Sequence, residues 1–198
     1  MKTILFLILE QYADWEAAYL SSALAMLGNG NYQVKTVSLS KQPVYSIGGF
    51  CTLPDYDINS APKDYEALIL IGGMTWRQEN ARQVESLVQD CYQAGKVLGG
   101  ICDASAFLGT VGVLNNVKHT NNQLDDLKQW AKAAYTGETH YLAQQVVRDH
   151  NIITANGTAA LEFAKEVLFA LQAASEEKIM GWYNFHKLGL HGAPMPEM

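Results

Sequence analysis

The chain has 198 residues, 48% hydrophobic and 17% charged, with 14 Lys and Arg against 20 Asp and Glu and a formal net charge of −6. This apolar content excludes a disordered chain, and the length of residues 1–198 suffices for a single domain with a sizeable core. The lack of a basic tract argues against nucleic acid or anionic membranes as partners. The odd number of cysteines, 3, leaves at least one thiol unpaired in a monomer, which favours a reduced, cytoplasmic protein.

The first predicted elements are a strand, a helix and a second strand. The apolar run Ile4–Leu9 ends at Glu10 without a small-residue cleavage site, which favours a buried strand over a signal peptide. A helix is predicted from Asp14, as its N-terminal cap, to Gly28, and a strand over Tyr32–Leu39. No run approaches the roughly 20 apolar residues that span a membrane.

The rest of the chain continues this alternation, with two interruptions. Val44–Ile47 and Phe50–Leu53 flank Gly48-Gly49, a pattern typical of a β-hairpin outside the main sheet. The alternation predicts an α/β protein with a doubly wound, mostly parallel, flavodoxin-like sheet in three layers, with added β-hairpins. The later predicted elements are strands Ala67–Ile71 and Lys96–Ile101, helices over 79–92, 103–111 and 125–134, a second hairpin of Val146–Arg148 and Ile152–Thr154, and helices Ala159–Ala173 and Glu176–Lys187.

The segment with the clearest chemical signal is Lys96–Ser105. A buried strand leads through two glycines into Cys102 and then into a helix that begins with small residues, the pattern of a nucleophile elbow. The helix N-terminus favours thiolate and can lower a cysteine pKa from about 8.5 to roughly 3.5–7.5. Cys102 is therefore predicted to be reactive, the alternative being a buried structural cysteine, whereas Cys51 and Cys91 lack this setting and are predicted to be structural.

Two other strand ends meet at the same edge of the predicted sheet. Gly72-Gly73 ends the strand over 67–71, and its backbone N–H groups, with that of Asp103, are candidates for an oxyanion hole beside Cys102; taken alone, the pair is better explained as a simple glycine turn. Trp76 is a candidate to line the substrate pocket, or else to pack in the core. Glu16 lies in the first turn of the first helix, where a carboxylate commonly complements the helix dipole.

Four segments in this order resemble the DJ-1/PfpI superfamily over nearly the whole chain: Y-A-D-W-E, L-I-G-G, G-G-I-C and I-I-T-A-N-G-T-A-A-L-E-F-A. That superfamily has the class I glutamine amidotransferase-like fold and includes intracellular cysteine peptidases, chaperone-like proteins and glyoxal-detoxifying proteins. The resemblance implies that Glu16 shares or holds a proton and hydrogen-bonds Cys102. It also implies that the Gly73 and Asp103 amides donate to the oxyanion and that Gly72 allows other groups of the site to approach its backbone closely. Members of the superfamily commonly pair, which implies a homodimer.

The chain departs from the family pattern beside the cysteine. Peptidase-like members have C-H-G there, whereas this chain has Cys102-Asp103-Ala104, so the adjacent histidine is missing and the Asp103 charge opposes thiol ionisation. His119 corresponds approximately to a histidine near the cysteine in DJ-1-like members, and is a candidate general base or acid; a solvent-exposed loop histidine is the alternative. No C-terminal His-x-Glu of an amidotransferase triad occurs.

Together these patterns predict a cysteine-dependent hydrolase-like enzyme, a peptidase or amidase or a glyoxal-detoxifying protein, that acts on a small-molecule or peptide-like substrate through a covalent Cys102 adduct. The alternative is a non-catalytic redox or stress sensor, or a chaperone-like protein, that works through oxidation of Cys102. No metal is predicted, because no histidine has metal-ligand spacing, and no cofactor, because Walker and dinucleotide loops are missing.

Overall fold

The computed structural model describes residues 1–196, with nine strands and six α-helices. The strands are β1 (Lys2–Leu7), β2 (Tyr32–Ser38), β3 (Val44–Tyr45), β4 (Cys51–Thr52), β5 (Tyr56–Asp57), β6 (Ala67–Leu70), β7 (Val97–Ile101), β8 (Val146–Asp149) and β9 (Ile152–Ala155). The helices are α1 (Asp14–Leu27), α2 (Glu85–Gln93), α3 (Asp103–Thr110), α4 (Leu124–Ala131), α5 (Ala160–Leu171) and α6 (Glu176–Leu188).

Seven strands form the central sheet, in the order β5-β2-β1-β6-β7-β9-β8. All neighbours are parallel except β8, which runs antiparallel to β9 at one edge. The carboxyl ends of β1, β6 and β7 therefore meet at one edge of the sheet, near its middle. In open parallel sheets this is the edge where ligands bind.

Helices cover both faces of the sheet. One core lies under α1, α5 and α6 and contains Leu24, Phe163 and Trp182, and the other lies under α2, α3 and α4 and contains Phe107 and Leu127. The central strands are buried on both faces, which explains why they are continuous apolar runs rather than alternating ones. The predicted three-layer, mostly parallel α/β architecture is confirmed.

Most predicted elements are present within a few residues of their predicted bounds. The hairpin of β3 and β4 is separate from the main sheet, as expected, but its strands have two residues each rather than four. The predicted helix over 79–92 is a 3-10 helix, Glu79–Val84, followed by α2. The strand β5 was not predicted, because two residues are too few to show a periodicity.

The predicted cap of α1 is wrong. Ala13 is the N-terminal cap residue and Asp14 is already helical. The Asp14 carboxylate instead accepts a hydrogen bond from Gly48 N–H at 2.8 Å, which fixes the turn of the β3–β4 hairpin against the start of α1. Within the described residues, no helix is long and apolar enough to cross a membrane.

Candidate active site

Cys102 lies at a sharp turn between β7 and α3. Its backbone has φ 59° and ψ −133°, a conformation that costs a non-glycine residue about 1–3 kcal/mol. Gly100 favours the turn: a Cβ atom there would lie 2.9 Å from Leu108 Cδ1 and 3.2 Å from both Ala104 O and Ser105 Cα, so a larger residue would press on the start of α3. The half-buried Cys102 side chain thus lies at the carboxyl edge of the sheet and at the N-terminus of α3.

Glu16 lies beside Cys102 and is fully buried. Its Oε2 atom accepts a hydrogen bond from Gly72 N–H at 2.8 Å, whereas its buried Oε1 atom has no hydrogen-bond partner within the described residues. Burial disfavours the charged carboxylate and raises the pKa of Glu16 to about 7, although the hydrogen bond from Gly72 N–H and the neighbouring Cys102 thiol oppose the shift. The group is thus poised to gain or lose a proton near neutral pH.

The pKa of Cys102 is shifted upward rather than downward. Burial, followed by the negative charge of Glu16, raises it to about 11, while hydrogen bonds from Asn122 and from Asp103 N–H act in the opposite direction. The lowering of the thiol pKa that the N-terminus of α3 was expected to cause is therefore outweighed by burial and by the Glu16 charge. Because the two groups lie close together, they titrate as a coupled pair in which each negative charge disfavours the other, and the pKa of the carboxyl group lies below that of the thiol.

Two glycines make this contact possible. A Cβ atom on Gly72 would overlap Glu16 Oε2 and lie 2.6 Å from Cys102 Cβ, and one on Gly157 would lie 2.9 Å from Cys102 Sγ. Gly157 follows β9, so the second glycine comes from the sheet strand on the other side of β7. Gly72 thus allows Glu16 and Cys102 to approach its backbone closely, as expected. Gly157, which was not predicted to take part, allows a second close approach to Cys102.

The oxyanion-hole assignment needs one correction. Gly72 N–H is occupied by Glu16 Oε2, so this amide is not a donor for a substrate oxygen. Gly73 and Asp103 remain as the candidate donors. Asp103 lies at the N-terminus of α3, where backbone amides lack intrahelical partners.

His119 does not have the position expected of a general base or of an exposed loop residue. It is completely buried, its Nδ1 atom is 2.7 Å from Val117 O, and its Nε2 atom is 2.7 Å from Tyr135 Oη. Burial lowers its pKa, and both ring nitrogens are engaged by groups other than the thiol. The prediction for His119 is corrected to a structural role, which is to hold the loop before α4.

The residue of this loop that reaches the sulfur is Asn122. Its Nδ2 atom donates to Cys102 Sγ at 3.4 Å, and its Oδ1 atom accepts from Gly157 N–H at 2.9 Å. Thr120 fixes the loop, since its N–H donates to Thr154 Oγ1 at 2.8 Å. Sequence analysis predicted a polar side chain from this segment near the cysteine but chose the wrong residue, because nothing in the sequence says which side chains of a loop point inward.

Trp76 belongs to the core and not to a substrate pocket. It is 1% exposed, its indole N–H donates to Ile71 O at 2.8 Å, and its ring packs on Phe107 with centroids 5.0 Å apart. The pocket assignment is therefore wrong, and the packing alternative is correct.

Arg77, which was not predicted from the sequence, lies beside Asp103 at the start of α3. Its guanidinium group donates to both oxygens of Asp103, at 2.9 and 3.1 Å, and forms a second bidentate pair with Asp126 of α4. It also stacks over Trp130, 4.9 Å from the ring centroid. Arg77 thus offsets the negative charge next to Cys102 and joins α3 to α4.

Arg77→Met is expected to slow alkylation of Cys102 several-fold at pH 8. Without its partner, the Asp103 carboxylate opposes thiolate formation more strongly, and the thiol pKa rises. The rate is measured with N-ethylmaleimide by mass spectrometry of the peptide that contains Cys102. Arg82→Met, which removes a surface ion pair with Glu85, is the matched control and leaves the rate unchanged. An unchanged rate in Arg77→Met would show that the Asp103 charge has no influence on the sulfur.

Within residues 1–196, no group of three His, Cys, Asp or Glu side chains is arranged to hold a metal ion. The two remaining thiols lie outside the elbow. Cys51 is exposed on the hairpin, and Cys91 is buried, with its pKa raised by burial to about 11.

The fold and the elbow define a class of three-layer α/β proteins that present a cysteine between a central strand and a helix. The model of the DJ-1/PfpI family matches residues 2–170, and the chain therefore belongs to the DJ-1/PfpI family. The uncharacterized protease YdeA of Bacillus subtilis is 38% identical over 191 residues, which cover 96% of this chain and 94% of YdeA. The uncharacterized protease YoaZ of the same organism is 34% identical over 184 residues, 88% of this chain and 86% of YoaZ.

Solved structures of the family have the same fold. The DJ-1 superfamily protein Atu0886 from Agrobacterium tumefaciens superposes with a TM-score of 0.86 at 33% identity, covering 94% of this chain and 98% of that one. The ThiJ/PfpI family protein from Bacillus anthracis gives a TM-score of 0.85 at 29% identity, covering 94% and 92%. These likenesses agree with the family assignment made from the sequence match.

Proposed function

We propose that the protein is a cysteine-dependent hydrolase of amide or peptide bonds, with Cys102 as nucleophile and Glu16 as the group that moves protons. The observation that carries this proposal is the pairing of a strained, half-buried cysteine with a fully buried carboxyl group whose pKa is near neutrality. A general acid or base acts best when its pKa is close to the working pH. The relatives YdeA and YoaZ, which are named as proteases, support a hydrolytic activity.

The proposed reaction has two steps. The Cys102 sulfur attacks the carbonyl carbon as the thiol proton passes to the Glu16 carboxylate; the Gly73 and Asp103 amides bind the oxyanion. When the C–N bond breaks, Glu16 returns this proton to the leaving amine, and an acyl-cysteine remains. Water then attacks the thioester, loses one proton to Glu16, and releases a carboxylic acid and the free thiol as Glu16 gives that proton to sulfur.

The proposed setting is the cytoplasm, where Cys102 stays reduced, and the proposed assembly is a homodimer. The three free cysteines support the cytoplasmic setting. The family resemblance supports the homodimer.

Hydrolysis is expected to disappear in Cys102→Ala and to fall by about 10²- to 10⁴-fold in Glu16→Gln. The measurement uses acetyl-dipeptide aminomethylcoumarin amides, with p-nitrophenyl acetate as an activated ester and methylglyoxal as a small carbonyl substrate. Cys51→Ser is the matched control, because this thiol is exposed on the β3–β4 hairpin rather than at the elbow, and it keeps full activity. Activity that persists in Cys102→Ala contradicts the proposal.

The redox-sensor alternative predicts a different outcome. Peroxide oxidises thiolates, and the raised pKa of Cys102 disfavours this reaction at neutral pH. If none of the three substrates is consumed but peroxide oxidises Cys102 in preference to the exposed Cys51, the sensor replaces the hydrolase as the function of this site.

A further inference from the structure

The oxyanion hole beside Cys102 has fewer backbone donors than its two glycines suggest, because Gly72 N–H is occupied by Glu16 Oε2 at 2.8 Å. A further N–H donor near the sulfur belongs to a side chain, since Asn122 Nδ2 is 3.4 Å from Cys102 Sγ. In acyl transfer the oxyanion forms on the carbon that the sulfur attacks. A donor that contacts the sulfur therefore lies close to the place where this charge develops.

The orientation of the Asn122 amide is fixed by its neighbour Gly157. A backbone N–H group can only donate, so the amide atom that faces Gly157 N–H at 2.9 Å is Oδ1, and the NH₂ group faces the sulfur. Gly157 is held from its other side, because its carbonyl oxygen accepts from Trp15 Nε1 at 3.3 Å. The amide of Asn122 is thus oriented before any substrate binds.

The Asn122 side chain is also open to a substrate. Asn122 is exposed, whereas the Glu16 carboxyl group beside the sulfur is fully buried. The loop itself is fixed, since Thr120 is bonded through its N–H to Thr154 Oγ1 and through its hydroxyl to Gln144 O, each at 2.8 Å. A carbonyl group that reaches the thiol from solvent therefore meets a donor that is already in place.

One N–H group of the Asn122 side chain is free to bind a ligand. A side-chain amide has two N–H donors, and within residues 1–196 the only partner of Asn122 Nδ2 is the Cys102 sulfur. Arg77, by contrast, uses its guanidinium group on the carboxylates of Asp103 and Asp126. An uncharged amide suits this place, because it stabilises an anionic oxygen without forming an ion pair with a neighbouring carboxylate.

We propose that Asn122 is a catalytic residue whose Nδ2 group donates to the oxyanion, together with the Gly73 and Asp103 amides. As the bond from Sγ to the carbonyl carbon forms and the thiol proton passes to Glu16, the electron pair of the C=O double bond moves to the oxygen, where Asn122 stabilises it. The pair returns when the C–N bond breaks and the leaving amine takes the proton from Glu16. This inference rests on the proposed function and adds a residue to its machinery.

A peptide aldehyde tests the role of Asn122 without any need for turnover. Acetyl-alanyl-alaninal forms a reversible hemithioacetal with Cys102: the bond from sulfur to carbon forms, the thiol hydrogen passes to the carbonyl oxygen, and this oxygen takes the place of the oxyanion. Saturable protection of the Cys102 peptide from iodoacetamide, followed by mass spectrometry, gives the affinity of the adduct. The unprotected rate reports the reactivity of the sulfur in a displacement that forms no oxyanion.

Asn122→Ala is expected to weaken the adduct by about tenfold to a hundredfold and to lower kcat for amide hydrolysis by about 10²- to 10³-fold. The unprotected alkylation rate is expected to fall by only about threefold, because the sulfur loses a single hydrogen bond. Asn122→Leu, which is closer in size to asparagine, serves if the Ala variant does not fold. Gln123→Ala is the matched control: Gln123 is the exposed next residue, its side chain does not cap α4, and the variant keeps both values.

Two results would overturn the proposal. If the affinity of the adduct is unchanged in folded Asn122 variants, the amide does not bind the oxygen. If affinity and alkylation rate fall by the same factor, Asn122 acts on the sulfur alone. Failure of the hydrolase proposal gives a different result, in which the affinity of the aldehyde depends on Asn122 but no amide is hydrolysed.

Discussion

Glu16→Gln is expected to remove the loss of stability that Glu16 contributes between about pH 4.5 and 7; the effect is the difference between the two proteins, because buried His119, whose pKa burial lowers, acts in the opposite direction in part of this range. In the unfolded chain Glu16 ionises at its ordinary pKa of 4.5, whereas in the folded protein burial raises its pKa to about 7. Between these values the folded state binds more protons, so the free energy of unfolding falls as pH rises, by about 3 kcal/mol across the window. The glutamine side chain of the variant does not titrate, and this contribution disappears.

Urea unfolding at pH 5 and pH 8 measures the effect. The Cys102 thiol does not interfere, because its pKa is shifted from 9.0 to about 11 and so affects stability only at higher pH. Glu79→Gln, at an exposed position, is the matched control and keeps the wild-type dependence on pH. If Glu16→Gln has the same pH dependence as wild type, the carboxyl group titrates normally and is not a proton carrier near neutrality.

Gly72→Ala is expected to destabilise the fold by at least about 1–3 kcal/mol and to disrupt the contact between Glu16 and Cys102. The added Cβ atom would overlap Glu16 Oε2 and would lie 2.6 Å from Cys102 Cβ and 2.8 Å from Ile101 O. The last atom is backbone of a central strand, so relief requires displacement of the carboxylate or of the elbow.

Gly181→Ala is the matched control for this substitution. Gly181 lies inside α6, where an added Cβ atom has its nearest neighbour, Pro196 Cβ, at 3.9 Å. Alanine is favoured over glycine in a helix by about 0.8–1 kcal/mol, so this variant is expected to be as stable as wild type or more so. Thermal unfolding of both variants gives the comparison, and equal stability of Gly72→Ala and wild type contradicts the close packing described above.

The sequence was informative wherever local chemistry determines structure. Continuous apolar runs predicted the central strands because strands buried on both faces contain little else, and the glycines before Cys102 predicted the elbow because few other residues permit the turn. The proximity of Glu16 came from the family resemblance, since local sequence favoured a role at the helix N-terminus.

The parts that were missed depend on contacts between distant segments. The orientations of His119 and Asn122 follow from how one loop packs on β9, and adjacent polar residues in a loop give no signal of which faces inward. Arg77 was overlooked because its two partners, Asp103 and Asp126, are 26 and 49 positions away. The thiol pKa was predicted in the wrong direction because the helix dipole can be inferred locally, whereas burial requires the whole fold.

The surroundings of Cys102 are assembled from widely separated parts of the chain. Gly72 N–H donates to Glu16 across 56 positions, and Trp15 Nε1 donates to Gly157 O, at 3.3 Å, across 142. Contacts of such large sequence separation form only after the chain has closed long loops. No fragment or partly folded intermediate can therefore reproduce these surroundings, and in a nascent chain the thiol keeps its ordinary pKa of 9.0 until β9 has joined the sheet.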